Sequence, residues 1–249
     1  MPTPLAARNV SHRFGPVIAL DDVSIDVPAG RAVALVGESG SGKTTLLRCF
    51  NRLVEPLRGE VLVGDRDVRT QPVVLLRRAI GYVQQHGGLL PHWRVLRNVA
   101  LVPTLQEMPD PTEAALHALG LVGLPPSNFA HRFPHELSGG ERQRVALARS
   151  IAAKPGVILL DEPFGALDAI SRADLQESFD AMRRDLSVTT LLVTHDLAEA
   201  GRLADDIVVM KAGRVEQKGT MRMLISAPAT EYVARLIERA RAGLEALSL

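Results

Sequence analysis

The chain has 249 residues, 46% hydrophobic and 23% charged, and its 29 Lys and Arg residues nearly balance 28 Asp and Glu residues, for a formal net charge of +1. This composition excludes a disordered chain, and the balanced charge is against a general nucleic-acid binder, which carries a net basic surface. The length predicts one large domain or a core domain with a subdomain. The longest apolar run, residues 32–36, is far shorter than the roughly 20 residues that cross a membrane.

The first third of the chain has the pattern of strands. Apolar and polar residues alternate over residues 6–14 and 17–27, on either side of Gly15-Pro16, which predicts two strands joined by a turn. Residues 32–36 are all apolar and predict a buried strand, a glycine-rich turn follows, and residues 44–53 predict a helix. Residues 80–83 predict another short strand.

The rest of the chain alternates between helical and strand patterns. Residues 87–153 are helical in period and interrupted by prolines, which predicts a mostly helical insertion. Strands are predicted at residues 157–160, 191–193 and 207–210, with helices near 172–185 and 197–203, so the fold class is α/β with a mainly parallel sheet. Gly213 predicts a closing hairpin. The apolar stripe of the last helix predicts packing on the domain; it comprises Tyr232, Val233, Leu236, Ile237, Ala240 and Leu244.

A phosphate-binding loop is predicted between the buried strand at 32–36 and the helix that follows it. Residues 37–44 read Gly-Glu-Ser-Gly-Ser-Gly-Lys-Thr, a glycine-rich pattern whose backbone N–H groups can surround a polyphosphate at a helix N-terminus. In that pattern Lys43 bridges the β- and γ-phosphates and Thr44 places its hydroxyl on Mg²⁺. The predicted ATP contacts are Gly37, Glu38, Ser39, Gly40, Ser41, Gly42, Lys43, Thr44 and Thr45.

Two acidic residues follow the apolar strand at 157–160. Ligands of parallel sheets bind beyond the carboxyl ends of the strands, which is where Asp161 and Glu162 fall. Asp161 suits the coordination shell of Mg²⁺, and Glu162 is then free to orient and deprotonate an attacking water.

The segment 137–144 begins another helix. Ser138 and Glu141 form a capping-box pattern, so the simplest interpretation is a well-capped helix. Gly139 and Gly140 also leave the amides at that helix start unobstructed, which predicts a second anion site. A phosphate-loop kinase is an alternative for the chain as a whole, but it leaves residues 137–141 unexplained.

Three motifs follow one another along the chain: the phosphate loop, Leu-Ser-Gly-Gly-Glu at 137–141 and Leu-Leu-Asp-Glu-Pro at 159–163. In this order they resemble the nucleotide-binding subunit of an ATP-binding-cassette (ABC) transporter, and the resemblance covers residues 10–237. The resemblance implies a P-loop NTPase core with a mainly parallel sheet, an N-terminal antiparallel β subdomain and an inserted α-helical subdomain. It implies a single ABC ATPase domain over 1–249, with the core and β subdomain at 1–86 and 154–249 and the helical subdomain at 87–153.

The resemblance also assigns roles outside the phosphate loop. Phe14 matches the aromatic residue that stacks on adenine, although a core position is its alternative. Gln85 matches the glutamine that touches Mg²⁺ and the water, with Gln84 as the neighbouring choice of register. His195 matches the switch histidine that contacts the γ-phosphate. The implied catalytic residues are therefore Glu162, His195 and Gln85, and the implied metal ligands are Thr44, Gln85 and Asp161.

The family mechanism implies partners. Two copies pack head to tail, so that Ser138, Gly139, Gly140 and Asp168 of one chain contact the ATP held by the other. ATP closes this homodimer and hydrolysis opens it, and the helical insertion passes the motion to integral membrane permease subunits. An extracytoplasmic solute-binding protein completes such a system, and no nucleic acid takes part. The implied location is peripheral, on the cytoplasmic face of the membrane. Two features of the sequence fit this location: Cys49 is the lone cysteine, as suits a reducing compartment, and residues 1–4 do not begin a signal peptide.

A narrower resemblance is to the osmoprotectant importers, which take up glycine betaine, choline or related quaternary amines. The matching segments are 45–48, 51–56, 80–85, 88–92, 98–103 and 170–172. Many of those proteins carry appended tandem regulatory domains, which this sequence lacks, so sensing through such domains is not expected. An importer of another small solute and a soluble, non-transport ABC ATPase stay open as alternatives, because the ATPase subunit does not touch the solute.

Overall fold

Strands and helices alternate along the chain, and the computed structural model describes residues 1–85, 87–165 and 167–245, with side chains described up to residue 242. The predicted boundary at residue 86 and the side chain of Leu244 lie outside these described residues. The strands are β1 (Leu5–Phe14), β2 (Val17–Val27), β3 (Ala32–Val36), β4 (Arg58–Val63), β5 (Arg66–Asp67), β6 (Ile80–Val83), β7 (Val157–Asp161), β8 (Thr189–Thr194), β9 (Asp206–Lys211) and β10 (Arg214–Gly219). The α-helices are α1 (Lys43–Phe50), α2 (Val73–Ala79), α3 (Val95–Val99), α4 (Leu101–Leu105), α5 (Pro111–Leu121), α6 (Pro126–Phe129), α7 (Gly139–Ile151), α8 (Ala169–Leu186), α9 (Leu197–Leu203), α10 (Met221–Ser226) and α11 (Glu231–Glu245).

The chain divides into two compact units. We call Pro4–Gln71 with Leu191–Leu249 the terminal unit, and Met1–Thr3 with Pro72–Thr190 the central unit. In the terminal unit, β2, β1, β4 and β5 form an antiparallel sheet in that order. A second set of strands follows the order β10-β9-β3-β8, with β3 parallel to β9 and β10 antiparallel to β9.

The central unit is built from the parallel pair β6 and β7 and the helices α2 to α8. Every residue of β7 is buried, as expected for an apolar strand of a parallel sheet. Helix α7 packs against β6, α3 and α5, and its buried face includes Val145, Ala148 and Ile151. The mostly helical character predicted for residues 87–153 is therefore observed in α3 to α7.

Helix α1 ends earlier than the predicted 44–53, because the chain leaves the helical conformation after Phe50. Arg52 adopts a positive φ of 54°, and the N–H groups of Leu53 and Val54 both return to the carbonyl of Arg48. The side chain of Arg52 then pairs with Glu55 at 2.6 Å between Nη2 and Oε1. A left-handed residue that satisfies the last helical carbonyls is a common way to end a helix.

Several elements form that the sequence pattern did not predict: β4, β5, α2 and α10. Strand β4 pairs with β1, placing Val63 opposite Leu5 across 58 residues of chain (63 − 5), so its strand character comes from a distant partner rather than from a local pattern. The predicted hairpin at Gly213 is confirmed, because Arg214 pairs with Lys211 and both turn residues, Ala212 and Gly213, have positive φ.

The last helix, α11, packs on its own unit as predicted. Tyr232, Val233 and Ile237 are buried, and α11 contacts α9 and α10. In the described part of the chain, no helix combines the length and the apolar character that a membrane span requires.

Candidate functional site

The phosphate loop surrounds the ammonium group of Lys43, the first residue of α1. Lys43 is only 5% exposed, and its Nζ donates to the carbonyl oxygens of Gly37 at 2.7 Å and Glu38 at 2.8 Å and to Oγ of Ser41 at 3.3 Å. A buried lysine needs such acceptors, because an unpaired charge in a low-dielectric interior is very costly. The loop therefore holds a cation at the N-terminus of a helix, where an anion is also favoured.

Gly37 is required by the close approach of strand β9. A methyl group at Gly37 would lie 2.2 Å from the carbonyl oxygen of Met210 and 2.8 Å from Oγ of Ser41. The loop is joined to the same region by the N–H of Gly213, which donates to the Ser41 carbonyl at 3.1 Å. In contrast, Ser39 and Gly40 are exposed, so the outer part of the loop is open to a ligand.

The ring of Phe14 is accessible at the end of β1. It is 52% exposed, and its covered side contacts His12 edge-on, with ring centroids 4.6 Å apart and an interplanar angle of 74°. A core aromatic residue would be buried, so the alternative core position is not what the structure shows for Phe14.

His195 follows β8 and is exposed. It lines a cavity of about 370 Å³ together with Gly37, Glu38 and residues of α11, all within the terminal unit. Next to it, Asp196 caps helix α9 by accepting hydrogen bonds from the N–H groups of Ala198 and Glu199. The cap fixes the turn that carries the imidazole beside the start of the phosphate loop.

The central unit brings two of the predicted catalytic residues into contact. Nε2 of Gln85 donates to Oε2 of Glu162 at 3.2 Å, across 77 residues of sequence. Glu162 has a φ of 47°, which is rare for a residue with a Cβ and is often found where function requires a particular side-chain direction. Asp161, the last residue of β7, is 2% exposed.

The two candidate glutamines point differently. The amide group of Gln84 lies 3.2 Å from the position that a Cβ on Gly88 would occupy, whereas Gln85 reaches Glu162. Of the two glutamines, Gln85 is therefore the one that contacts Glu162.

Helix α7 begins with the predicted capping box. Oγ of Ser138 accepts from the N–H of Glu141 at 3.2 Å, and Oε2 of Glu141 accepts from the N–H of Ser138 at 2.7 Å. Ser138 and Gly139 are exposed. A Cβ on Gly139 would meet no atom within 4 Å among the residues that the structure describes, and one on Gly140 would contact the side chain of Ser171 at 3.5 Å.

Asp168 caps the next helix, α8. Its Oδ1 accepts from the N–H groups of Ile170 at 3.1 Å and Ser171 at 3.0 Å, and hydrogen bonds from Ser171, the backbone N–H first, lower the pKa of this carboxyl group. Ala166, in the same predicted loop, lies outside the described residues. Ile170 is 76% exposed, so an apolar side chain stands beside Asp168 on the surface.

Sequence reasoning missed the residues that hold these loops in place. The side chain of Asn98, fully buried, bonds to both the N–H and the carbonyl of Leu90, and Arg149 donates to the carbonyls of Gly87 and Gly88. Tyr232 of α11 accepts a hydrogen bond from the N–H of Glu38 in the phosphate loop at 3.1 Å. Their partners are 8 residues away for Asn98 with Leu90, 61 for Arg149 with Gly88 and 194 for Tyr232 with Glu38, and we see no sequence signal that would have identified them.

Comparison with known proteins identifies the class. The ABC transporter family model matches residues 20–165, more than half of the chain, and the chain belongs to this family. Among solved structures, the dimeric structure of MJ0796, a bacterial ABC transporter cassette, has a TM-score of 0.79 and 32% identity over 88% of this chain and 99% of that chain. The predicted α/β P-loop fold of an ABC ATPase is thereby confirmed.

The curated relatives are ATP-binding proteins of uptake systems. The chain is 43% identical to the glycine betaine uptake system ATP-binding protein YehX of Escherichia coli, over 97% of this chain and 79% of that protein. It is 42% identical to the choline transport ATP-binding protein OpuBA of Bacillus subtilis, over 95% and 63%. It is 46% identical to the sulfate/thiosulfate import ATP-binding protein CysA of Burkholderia mallei, over 92% and 66%. The chain thus spans less than two thirds of the length of the last two relatives.

Proposed function

We propose that this chain is the ATP-binding and ATP-hydrolysing subunit that energises an ABC importer. The observation that carries the proposal is the phosphate loop around Lys43, whose buried ammonium group stands at the start of α1 and donates to Gly37, Glu38 and Ser41 of the loop. The proposed nucleotide contacts are residues 37–45, with the adenine stacked on the exposed ring of Phe14. A second MJ0796 cassette structure, with a TM-score of 0.79, is a post-hydrolysis state bound to ADP and Pi, which supports this assignment.

The side chains proposed to hold Mg²⁺ fit that ion. The hydroxyl of Thr44, the carboxylate of Asp161 and the amide oxygen of Gln85 are hard oxygen donors, and Mg²⁺ in nucleotide sites uses one or two carboxylates together with substrate phosphates. Among the described residues, no group of three His, Cys, Asp or Glu side chains forms a dedicated metal site. When bound, the ion neutralises charge on the β- and γ-phosphates.

Glu162 is the proposed general base. Its carboxylate orients a water by accepting a hydrogen bond and takes the proton as the water attacks the γ-phosphorus, while the bond from that phosphorus to the β–γ bridging oxygen breaks and ADP leaves. The hydrogen bond from Nε2 of Gln85 to Oε2 at 3.2 Å helps to orient this carboxylate. His195, beside Gly37 and Glu38 in the same cavity, is proposed to donate to the γ-phosphate.

We propose that two copies of the chain form composite ATP sites. Ser138, Gly139 and Asp168 are exposed and so are accessible to a second copy, and Ile170, two residues after Asp168, is an exposed apolar side chain. Nothing in the described chain requires a glycine at Gly139, because a Cβ there would meet open space. In the dimer that we propose, this open space receives the nucleotide of a partner subunit.

The names of YehX and OpuBA support a glycine betaine or choline type of solute. We propose permease subunits in the membrane and an extracytoplasmic solute-binding protein as the other partners. The chain would then lie at the cytoplasmic face of the membrane. A sulfate-type anion is the second candidate, because the identity to CysA is as high as the identity to the quaternary-amine relatives. Uptake of labelled choline, glycine betaine and sulfate by cells with and without the gene distinguishes the candidates.

The substitution Glu162→Gln tests the hydrolytic site. We expect it to retain ATP binding, to slow hydrolysis by a factor of about 100 or more, as for loss of a general base, and to accumulate an ATP-bound dimer. The matched control is Glu177→Gln on the exposed surface of α8, which should hydrolyse ATP at the rate of the unmodified chain. Normal turnover by Glu162→Gln would show that another group is the base.

A mixed dimer tests the composite sites. Chains carrying Lys43→Ala and chains carrying Ser138→Arg should each be inactive alone, because both sites of either homodimer are damaged. Mixed together, they should form one intact site and recover activity. A mixture as inactive as the two homodimers would contradict a site shared between subunits.

A further inference from the structure

Helix α11 contacts the phosphate loop through the buried side chain of Tyr232. Tyr232 is 5% exposed, and its hydroxyl oxygen accepts from the N–H of Glu38 at 3.1 Å. The ring is held from the other side by Lys211 at the end of β9, whose Nζ lies 4.9 Å from the ring centroid. Burial raises the pKa of the Tyr232 hydroxyl above its usual value of 10.0, so the group is neutral at physiological pH.

The N–H of Glu38 belongs to the same peptide group as the carbonyl of Gly37. That carbonyl accepts the shortest of the Lys43 hydrogen bonds described above, at 2.7 Å from Nζ. The peptide group between residues 37 and 38 is therefore bonded at both ends, by Lys43 on the oxygen and by Tyr232 on the nitrogen. A rotation of this peptide would break both bonds together.

The peptide has little other support. The side chain of Glu38 is 61% exposed and meets Arg239 of α11 at 4.0 Å, a surface ion pair of the kind that contributes little. Gly37 has no side chain to restrict its rotation, although the carbonyl of Met210 limits the space around it. The hydroxyl of Tyr232 is thus the principal contact from α11 that sets the orientation of the peptide.

We infer that Tyr232 is a positioning residue for nucleotide binding: by holding the 37–38 peptide, it keeps the phosphate loop and the Lys43 ammonium group in the arrangement that receives the triphosphate. The inference rests on the proposed function, since it assumes that Lys43 binds the nucleotide. It adds a dependence of the loop on the C-terminal helix. Without the hydroxyl, the peptide samples other orientations in the free protein, and binding has to restore the original one.

The test is Tyr232→Phe in the full-length chain, which removes only the hydroxyl. A neutral hydrogen bond contributes about 1 kcal/mol, which corresponds to about a fivefold change in an equilibrium constant. We expect the Kd of a fluorescent ATP analogue and the KM for ATP each to rise about fivefold, with kcat unchanged. A merely structural role would instead lower the active fraction and therefore kcat, and would leave KM as it was.

The controls separate the hydroxyl from the rest of the helix. Arg235→Gln breaks an exposed pair with Glu231 and should leave Kd and KM unchanged. Arg239→Gln removes the pair with Glu38 and should change Kd less than twofold. If Arg239→Gln instead raised Kd fivefold and Tyr232→Phe left it unchanged, the contact between α11 and the loop that matters would be the ion pair, and the inference would be overturned. The exchange rate of the Glu38 amide, measured by NMR without nucleotide, should rise in Tyr232→Phe only.

Lys43→Ala distinguishes failure of the inference from failure of the proposed function. If Lys43→Ala loses nucleotide binding while Tyr232→Phe keeps the original Kd and the original exchange rate at Glu38, the inference alone is wrong. If both variants bind the ATP analogue as the unmodified chain does, the phosphate loop is not the nucleotide site and the proposed function fails with it.

Discussion

Replacing Phe14 with alanine tests the proposed adenine site at a position where folding and binding can be separated. The side chain is 52% exposed, so about half of its surface is available to a base and the other half packs on the unit, partly against His12. Stacking of one base on an aromatic ring contributes about 1–3 kcal/mol. We take about 1.4 kcal/mol, near the lower end because only part of the ring is free, and expect ATP to bind about tenfold more weakly to Phe14→Ala.

The effect on folding should be smaller than for a core residue. Truncation of a buried phenylalanine costs about 3–5 kcal/mol, and roughly half-burial reduces this to about 2 kcal/mol or less. Thermal or urea unfolding measures that loss directly. Phe14→Tyr keeps the stacking face and should bind ATP within about twofold of the unmodified chain, which makes it the conservative control.

The assay is competition against a fluorescent ATP analogue by ATP, GTP and inorganic tripolyphosphate. Stacking tolerates different bases, so the affinities for ATP and GTP should fall by similar factors in Phe14→Ala, while tripolyphosphate should be unaffected. Leu57→Ala, which removes another exposed apolar side chain (62% exposed) from the same unit, serves as the matched control. Equal weakening of tripolyphosphate and ATP would show that the change had damaged the phosphate loop, and unchanged ATP binding would refute the adenine site.

Three further predictions concern Ser138, the glycines and Cys49. Ser138→Ala removes the acceptor for the Glu141 N–H and should lower the free energy of unfolding by about 1 kcal/mol, measured in urea against Ser127→Ala, which should be near neutral. Gly37→Ala should lose nucleotide affinity, because the added Cβ would lie 2.2 Å from the carbonyl oxygen of Met210. Gly139→Ala should fold and bind ATP normally but hydrolyse it slowly. Normal hydrolysis by Gly139→Ala would contradict the composite site. Burial raises the pKa of the Cys49 thiol to about 12 from a reference of 9.0, so the thiol should resist an aromatic disulfide reagent at pH 8 until the chain unfolds. The stability that the buried neutral thiol contributes should be complete below pH 9 and should decline as the pH rises towards 12. Cys49→Ala should lack this decline.

Local sequence patterns predicted the elements whose partners are nearby. The strand at Ala32–Val36 and the start of α1 were predicted because an apolar run and a glycine-rich turn are contiguous in the sequence. The capping box at Ser138 was predicted for the same reason, since its two hydrogen bonds span three residues. In each of these cases the chemistry that determines the structure lies within one turn of chain.

The missed elements depend on distant partners. Residues 58–63 contain charged side chains and a glycine, which disfavour a strand in isolation, and they form β4 because an edge of β1 is available. The bond from Glu38 to Tyr232 crosses 194 residues, so a tyrosine on an amphipathic helix could be interpreted only as part of a packing face. Residue types alone do not specify which backbone group such a hydroxyl reaches.

Gly37 and Gly139 show two different reasons for a glycine in a nucleotide-binding protein. At Gly37 the chain itself excludes a side chain, because the backbone of β9 occupies the space, and any substitution changes the folded subunit. At Gly139 the described chain leaves the space open, and in the proposed dimer this space would face the nucleotide of a partner subunit. The first glycine belongs to the phosphate loop within one subunit, and the second belongs to the surface that we propose meets the nucleotide of a partner. Catalysis by this chain would therefore depend on its concentration, even though its phosphate loop is formed within one subunit.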